Sequence, residues 1–212
     1  MSVSLCEQIT KDSWVVLWKI EEDLPFYLSY LGISEESLAS ISGVTHPQKK
    51  LEWLASRCCA KFAVEQCGLT YSGIDKDEYS NPYLPNHPHA FISISHTSEY
   101  TATVVSFRDE VGIDLEKISS KLQVVAHKFL SESERSHANS DLTYLCIYWC
   151  AKESLYKWYG KKNLSFKQNI YIAPFSIDST MIEGVIQFED SIPTNHSLRV
   201  FHWGDYILTV TT

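Results

Sequence analysis

WCAKESLYKWYG, residues 149–160, combines an aromatic-rich segment with closely spaced charges and ends at a glycine. Gly160 is the residue type that commonly follows the end of a helix, and Asp141 is a residue type that caps a helix start. The segment that these two residues bound therefore predicts one long helix. Glu153 and Lys157 are four residues apart and share a face of that helix. Because most of their neighbours are aromatic, these charges indicate the wall of a cleft, with a weak surface ion pair as the alternative.

The pattern around this helix occurs twice in the chain. Three pairs of segments align in the same order: residues 53–61 with 149–157, residues 96–104 with 202–210, and residues 17–20 with 115–118. A repeat in the same order predicts an α+β fold of two similar halves, related by a pseudo-twofold axis. We expect these halves to be residues 1–108 and 109–212, with the boundary at a polar segment.

Further strands and helices follow from the hydrophobic pattern. Apolar or alternating segments predict strands at 14–20, 91–95, 100–107 and 110–118, and around 170, 185, 199 and 207. Helices are predicted at 49–68, 121–130 and 141–160.

Three carboxylates are candidates for a metal site. Asp114 and Glu116 share one face of a predicted strand because strand side chains alternate. The aligned positions of the first half are Val16 and Trp18, so these charges are specific to the second half. A cation would offset the repulsion between the carboxylates, and a few oxygen ligands with room for water and phosphate suit Mg²⁺. Glu153 could complete such a site; the alternative is a solvated strand end.

The first half supplies candidates for binding an anion. Ser95 and His96 end a predicted strand and point to opposite faces, which disfavours a nucleophilic Ser–His pair. Lys49, Lys50 and Arg57 belong to a predicted helix, where they either bind phosphate or are ordinary exposed cations. The chain has no glycine-rich phosphate loop, so a nucleotide would be held by side chains.

Composition excludes several classes of function. The net charge of −8 over 212 residues disfavours nucleic-acid binding. No membrane contact is expected, since no apolar run reaches the length of a membrane helix, and no secretory signal is evident. The six cysteines form no CxxC pair, which predicts free thiols in a reducing cytoplasm. Two fused halves of this size suggest a monomer.

The motifs resemble those of the surfactin-type 4′-phosphopantetheinyl transferases. The segments that carry the resemblance are Gly112-Ile113-Asp114-Leu115-Glu116, Trp149-Cys150-Ala151-Lys152-Glu153-Ser154-Leu155-Tyr156-Lys157, and Ser95-His96. The resemblance extends from about residue 46 to about residue 175. It implies the 4′-phosphopantetheinyl transferase fold, with the active site between two similar α+β halves.

The resemblance also implies an activity. The chain would transfer the 4′-phosphopantetheine arm of coenzyme A to a serine of an acyl or peptidyl carrier protein, releasing adenosine 3′,5′-bisphosphate. Mg²⁺ would be the cofactor, held by Asp114, Glu116 and Glu153 in the second half. Coenzyme A and a carrier protein would be the partners, with coenzyme A contacts in the first half.

The resemblance assigns further residues of the site. Ser95 and His96 would bind phosphates of coenzyme A, and the basic group of Lys49, Lys50 and Arg57 would approach its 3′-phosphate, with the choice among these three left open. Lys152 is a further candidate contact for coenzyme A, the alternative being that it only covers the flank of the helix. Lys157 would contact phosphate, and either Glu153, through water, or Glu134 would accept the serine proton. One position departs from the pattern, because Asn81 stands where relatives often have a phosphate-binding lysine.

Two other classes of function stay open. A non-catalytic protein that binds coenzyme A or a carrier protein would not need all three carboxylates, and a Mg²⁺-dependent phosphodiesterase or nuclease would be expected to carry a basic face. Carrier proteins are usually acidic, so docking onto this acidic chain requires a local basic or apolar patch. The candidates for it are Lys121, Lys128, Arg135, Lys161 and Lys162.

Overall fold

The computed structural model describes residues 1–189 and 191–212, with only the backbone for residues 39–42. The chain folds into two compact units, Met1–Asp109 and Glu110–Thr212. Each unit combines an antiparallel sheet with helices, so the predicted α+β class is confirmed. That the first half contacts coenzyme A and the second half holds the metal stays a prediction.

The first unit contains a six-stranded sheet and three helices. Its strands are β1 (Val3–Thr10), β2 (Ser13–Lys19), β3 (Asp75–Lys76), β4 (Pro82–Tyr83), β5 (Phe91–His96) and β6 (Tyr100–Ser106). Its helices are α1 (Leu24–Leu31), α2 (Glu35–Ser42) and α3 (Pro47–Gln66). The strand order in the sheet is β1-β2-β6-β5-β4-β3.

The long helix α3 packs against this sheet through small side chains. Ala55 and Cys59 are fully buried. The sulfur of Cys59 lies 3.7 Å from the carbonyl oxygen of Val16 and 3.8 Å from that of Thr101. Small side chains allow this close approach, which fixes α3 over β2 and β6.

The second unit contains a five-stranded sheet and three helices. Its strands are β7 (Ile113–Lys117), β8 (Ile170–Ile172), β9 (Met181–Ile186), β10 (Thr194–Trp203) and β11 (Tyr206–Thr211). Its helices are α4 (Lys121–Phe129), α5 (Glu132–Ala138) and α6 (Leu142–Tyr159). The strand order is β7-β11-β10-β9-β8.

The two sheets share a local pattern that the sequence repeat predicts. In the first unit β2 pairs with β6 and β6 with β5, and in the second β7 pairs with β11 and β11 with β10. Even the register agrees, because Val16 lies opposite Thr103 while Asp114 lies opposite Thr209. The repeat therefore aligns residues that occupy the same position in each sheet.

Helix α6 lies on β7 and β11 along a stripe of small residues. Cys146, Cys150 and Ser154 recur every fourth residue, and their side chains lie 3.6, 3.5 and 3.0 Å from carbonyl oxygens of these two strands. Next to this stripe, a Cβ atom on Gly112 would lie 1.9 Å from the carbonyl oxygen of Ser154. Only glycine permits that approach, which brings the start of β7 against α6.

The elements that the sequence pattern did not predict are β1, α1, α2, β3, β4 and α5. They are short or have mixed polarity, and their ends are fixed by local hydrogen bonds such as the Asp23 and Ser34 caps of α1 and α2. The cysteines are free, and four of the six are buried. No helix in the described part of the chain is long and apolar enough to cross a membrane.

Candidate active site

Asp114 and Lys157 form an ion pair where β7 meets α6. The amine of Lys157 lies 2.8 Å from Asp114 Oδ1 and donates to the carbonyl oxygen of Ile113, also at 2.8 Å. The Asp114 side chain is only 9% exposed, whereas that of Lys157 is 27% exposed. Solvent access on the lysine side leaves this amine within reach of a ligand.

Glu153 places a further carboxylate next to this pair. Burial, and then the charge of Asp114, raises the pKa of Glu153 to about 7, and the opposing effect of Lys157 does not cancel this shift. Burial also raises the pKa of Glu116, and Asp114 contributes in the same direction. The three predicted carboxylates are therefore close enough to repel one another, and one lysine does not neutralise them.

The carboxylate oxygens of Asp114, Glu116 and Glu153 suit a hard cation, although they are not arranged as the coordination shell of a metal ion. Across the part of the chain that the structure describes, no group of three or more His, Cys, Asp and Glu side chains is arranged to hold a metal ion. Lys157 instead lies against Asp114. Clustered carboxylate oxygens are nevertheless the ligands that Mg²⁺ prefers. The fit supports the predicted cofactor, which remains a prediction.

Lys152 is buried in the core of the second unit. Its side chain is 0% exposed, and its amine donates to Glu134 Oε2 at 2.7 Å and to the carbonyl oxygens of Phe166 and Ile170 at 2.8 and 2.7 Å. An ammonium group has three N–H donors, so all of them are used. Burial lowers the pKa of Lys152, and the charge of Glu134 opposes that shift.

Glu134 is equally satisfied by partners within the protein. Besides Lys152, its carboxylate accepts from the main-chain N–H of Ser131 at 2.8 Å and from that of Ile172 at 2.9 Å. The bond to Ser131 belongs to a capping box at the start of α5. These contacts favour structural roles for Lys152 and Glu134, in place of the predicted coenzyme A contact and the predicted base.

In the first unit, a buried carboxylate joins two of the predicted residues. Glu52 is 2% exposed, and its Oε2 lies 2.6 Å from the amine of Lys49 and 3.7 Å from Nε2 of His96. The Lys49 and His96 side chains are themselves 62% and 46% exposed, so both face solvent. Ser95, next to His96 on β5, is buried. Glu52 thus links α3 to the end of β5.

Sequence reasoning missed Glu52. The available signal was a glutamate three residues after Lys49, within an otherwise apolar stretch of the predicted helix. That spacing alone also fits an exposed ion pair, and the burial that distinguishes the two follows only from the packing of α3 on β5.

Arg57 has different surroundings from the Lys49–Glu52–His96 group. It follows the half-buried Lys50 by seven residues, which is about 10 Å along a helix axis. Its guanidinium stacks over the ring of Trp53 at 4.0 Å and donates to Ser56 Oγ at 3.0 Å. None of these contacts joins Arg57 to the other predicted cations.

Asn81, at the position where relatives often have a lysine, closes a polar turn. Asp77 Oδ1 accepts from the main-chain N–H groups of Tyr79 and Asn81 at 2.8 Å each, and Oδ2 accepts from the Asn81 side chain at 3.0 Å. Hydrogen bonds from Asn81 are the main reason that the pKa of Asp77 is lowered. The amide therefore has a local structural contact in this chain.

Comparison with known proteins agrees with these motifs. The model of the 4′-phosphopantetheinyl transferase superfamily matches residues 110–211. The model of the 4′-phosphopantetheinyl transferase N-terminal domain matches residues 38–106. The two matches together extend over most of both units.

Individual relatives carry the same description. A 4′-phosphopantetheinyl transferase of Bacillus subtilis is 32% identical over 106 residues, 47% of either chain. A second from that organism, 4′-phosphopantetheinyl transferase ffp, is 32% identical over 40% of this chain and 39% of its own length. The 4′-phosphopantetheinyl transferase gsp of Aneurinibacillus migulanus is 34% identical over 52% of this chain and 46% of its own length. The chain thus covers less than half the length of each of these relatives. With both family models and the site motifs in agreement, the chain belongs to the 4′-phosphopantetheinyl transferase superfamily.

Proposed function

We propose that the protein transfers the 4′-phosphopantetheine group of coenzyme A to a serine of an acyl or peptidyl carrier protein, and that it requires Mg²⁺. The observation that carries this proposal is the grouping of Asp114, Glu153 and Lys157 where β7 contacts α6. The activity named for the relatives supports it.

Asp114, Glu116 and Glu153 would hold the metal through carboxylate oxygens. When bound, Mg²⁺ would supply positive charge to the pyrophosphate and to the leaving group. Lys157, which now pairs with Asp114 and is partly exposed, would contact a phosphate oxygen. On this proposal, Asp114 would exchange its contact with Lys157 for a contact with the metal.

The proposed reaction is a single displacement at phosphorus. The serine oxygen would form a bond to the β-phosphorus of coenzyme A, and the bond from that phosphorus to the bridging oxygen would break. The bonding electrons would leave with adenosine 3′,5′-bisphosphate, and Glu153 would accept the serine proton through water. Positioning and charge stabilisation would supply most of the rate.

In the first unit, Lys49, Lys50, Ser95 and His96 would contact the phosphates of coenzyme A. Glu52 would act as a positioning residue, because its buried carboxylate holds both Lys49 and His96. Hydrogen bonds between charged groups and phosphate are shorter and stronger than neutral ones.

Helix α4 offers a docking surface for an acidic carrier protein. Lys121, Val124 and Lys128 lie on one face of this helix, and Val124 is 73% exposed. An exposed apolar side chain between two lysines suits a partner with acidic and apolar groups. The exposed Arg135, Lys161 and Lys162 are further candidates for the same partner.

One assay separates this function from its alternatives. The enzyme is incubated with coenzyme A, Mg²⁺ and apo carrier proteins of the fatty-acid, polyketide and peptide types. Carrier mass and adenosine 3′,5′-bisphosphate are then measured. A serine-linked phosphopantetheine on the carrier supports the transferase. Tight coenzyme A binding with no modified carrier would indicate a non-catalytic binding protein, and hydrolysis of coenzyme A without modification would indicate a phosphodiesterase.

A further inference from the structure

A cavity of about 490 Å³ lies in the first unit beside Arg57. This volume is in the range of small-molecule sites. Apolar and aromatic side chains form most of its lining: Leu31, Ile33, Trp53, Tyr71, Ile74 and Pro85. Lys49, Lys50, Ser95 and His96 do not line it. Arg57, which the resemblance offers as a candidate coenzyme A contact, does line it, and its contacts join it to none of those four residues.

Arg57 provides the positive charge of this cavity. The face of its guanidinium is covered by Trp53, which leaves the N–H groups at its edge as the polar surface. Only one of the five N–H donors has a partner within the described chain, the hydroxyl of Ser56. No carboxylate of the described residues forms an ion pair with Arg57. Burial lowers the pKa of this guanidinium, so an anion here would offset a desolvation cost.

Two further lining residues narrow the class of ligand. Burial raises the pKa of Tyr71 to about 12, although Arg57 opposes the shift, so its phenol stays protonated and can donate. Asp75, an exposed acidic residue, also lines the cavity. A carboxylate in the lining disfavours a ligand with several negative charges, such as a pyrophosphate, and favours one with a single charge.

We propose that this cavity is a second ligand site, which binds a small organic monocarboxylate through Arg57 and Tyr71. The planar edge of a guanidinium matches the two oxygens of a carboxylate. The stacking on Trp53 holds that edge in a fixed orientation, and the apolar walls accommodate an aromatic or aliphatic body.

Binding of 4-phenylbutyrate and its neutral amide, 4-phenylbutanamide, tests this site by calorimetry. The carboxylate is expected to bind the wild-type protein with a Kd on the order of 1 mM, as suits a ligand of this size. The amide should bind at least about tenfold more weakly, because it lacks the charge that pairs with Arg57. Equal affinity of the two probes, or no saturable binding of the carboxylate, would overturn the proposal.

Matched variants locate the binding. Arg57→Gln should weaken carboxylate binding at least about tenfold, whereas Lys50→Gln, which removes the same charge from the same helix, should leave it unchanged. Equal losses in both variants would point to a general charge effect and overturn the assignment. Circular dichroism verifies that each variant is folded.

A titration in saturating coenzyme A separates this site from the proposed transferase site. Unchanged affinity for the carboxylate supports a second site, and displacement of the carboxylate would overturn it. The carrier-modification assay does not depend on this result, so either proposal can fail alone.

Discussion

Arg57 and Glu153 occupy matching positions in two similar helices but have opposite surroundings. Arg57 stacks on Trp53 at the edge of a cavity, while Glu153 lies close enough to two other carboxylates for its pKa to rise to about 7. The repeat in the sequence predicted this difference in charge. It could not predict the cavity beside Arg57, because Tyr71 and Pro85, which also line it, reach it only through the fold.

Replacement of Glu153 by glutamine should change how stability depends on pH. The pKa of Glu153 rises from an ordinary 4.5 to about 7 on folding, so the folded protein binds this proton more tightly than the unfolded chain. The free energy of unfolding therefore falls as the pH rises from about 4.5 to about 7. Above that range, and without metal, Glu153→Gln should be more stable than wild type by roughly 1–3 kcal/mol.

Urea unfolding with a chelator at acidic and alkaline pH checks this expectation. Below the unfolded-state pKa both proteins carry a neutral group, so the difference from wild type should be small there. A stability difference that is the same at every pH would contradict the proposed environment of Glu153.

Addition of Mg²⁺ should stabilise the wild-type protein, because a ligand that binds only the folded state raises its Tm. The increase should be larger at pH 8 than at pH 5, since the carboxylates must lose their protons to bind. The Asp114→Asn variant should lose most of this Mg²⁺-induced increase in Tm. Differential scanning fluorimetry measures the shift, and an equal shift in Asp114→Asn would count against the proposed ligands.

At the scale of elements, the long helices and central strands follow from the sequence, and the connecting elements do not. β2, α3 and α6 have sustained apolar patterns, and Asp141 caps α6 through the N–H groups of Thr143 and Tyr144 as predicted. The partners of Glu134 and Glu52 follow from tertiary packing instead. Lys152 is 18 residues away from Glu134 in the sequence, and the motif that contains Lys152 does not include Glu134, so the sequence gives no sign that they form a buried pair.

Gly112 should be essential for the contact between β7 and α6. A methyl group there would lie 1.9 Å from the carbonyl oxygen of Ser154, so the strand and the helix must separate. We expect Gly112→Ala to lower the free energy of unfolding by roughly 3 kcal/mol or more. At Gly204 no atom beyond its chain neighbours lies within 4 Å of the added carbon, so Gly204→Ala should cost only the strain of its positive φ. Chemical denaturation compares the two, and equal losses would contradict the close approach.

Lys152 should prove structural. Lys152→Met leaves the buried Glu134 carboxylate without its cation, which is expected to destabilise the protein by about 3–5 kcal/mol. The exposed Lys162→Met is the matched control and should change stability little. The catalytic rate of the remaining folded Lys152→Met enzyme should be nearly unchanged. If Lys152→Met kept its stability but bound coenzyme A more weakly, the result would instead support the contact between Lys152 and coenzyme A that the sequence predicted.

At the scale of the molecule, the acidic chain must recognise an acidic partner through local charge. The net charge of −8 is unfavourable for docking, and the lysines of α4 are the proposed exception. Reversing Lys128 to glutamate should raise the KM for the carrier protein at least about threefold and leave the KM for coenzyme A unchanged.

Added salt should reduce the effect of this reversal, because it screens exposed charges. Reversal of Lys11, which is 81% exposed in the other unit, is the control and should have little effect. Steady-state kinetics over a range of ionic strength measures the KM for the carrier protein in each variant. An equal increase of this KM in both variants would argue against the α4 surface.

The most direct test of the proposed function is to quantify both of its products, the modified carrier protein and adenosine 3′,5′-bisphosphate, in the same reaction. Wild-type protein, Mg²⁺, coenzyme A and an apo carrier protein are mixed, and the modified serine and adenosine 3′,5′-bisphosphate are quantified by mass spectrometry and chromatography. The two products should form in equal amounts. Both should fall to background when Mg²⁺ is chelated or when Glu153→Gln replaces the wild type. Full carrier modification by Glu153→Gln in the presence of chelator would contradict the proposed site.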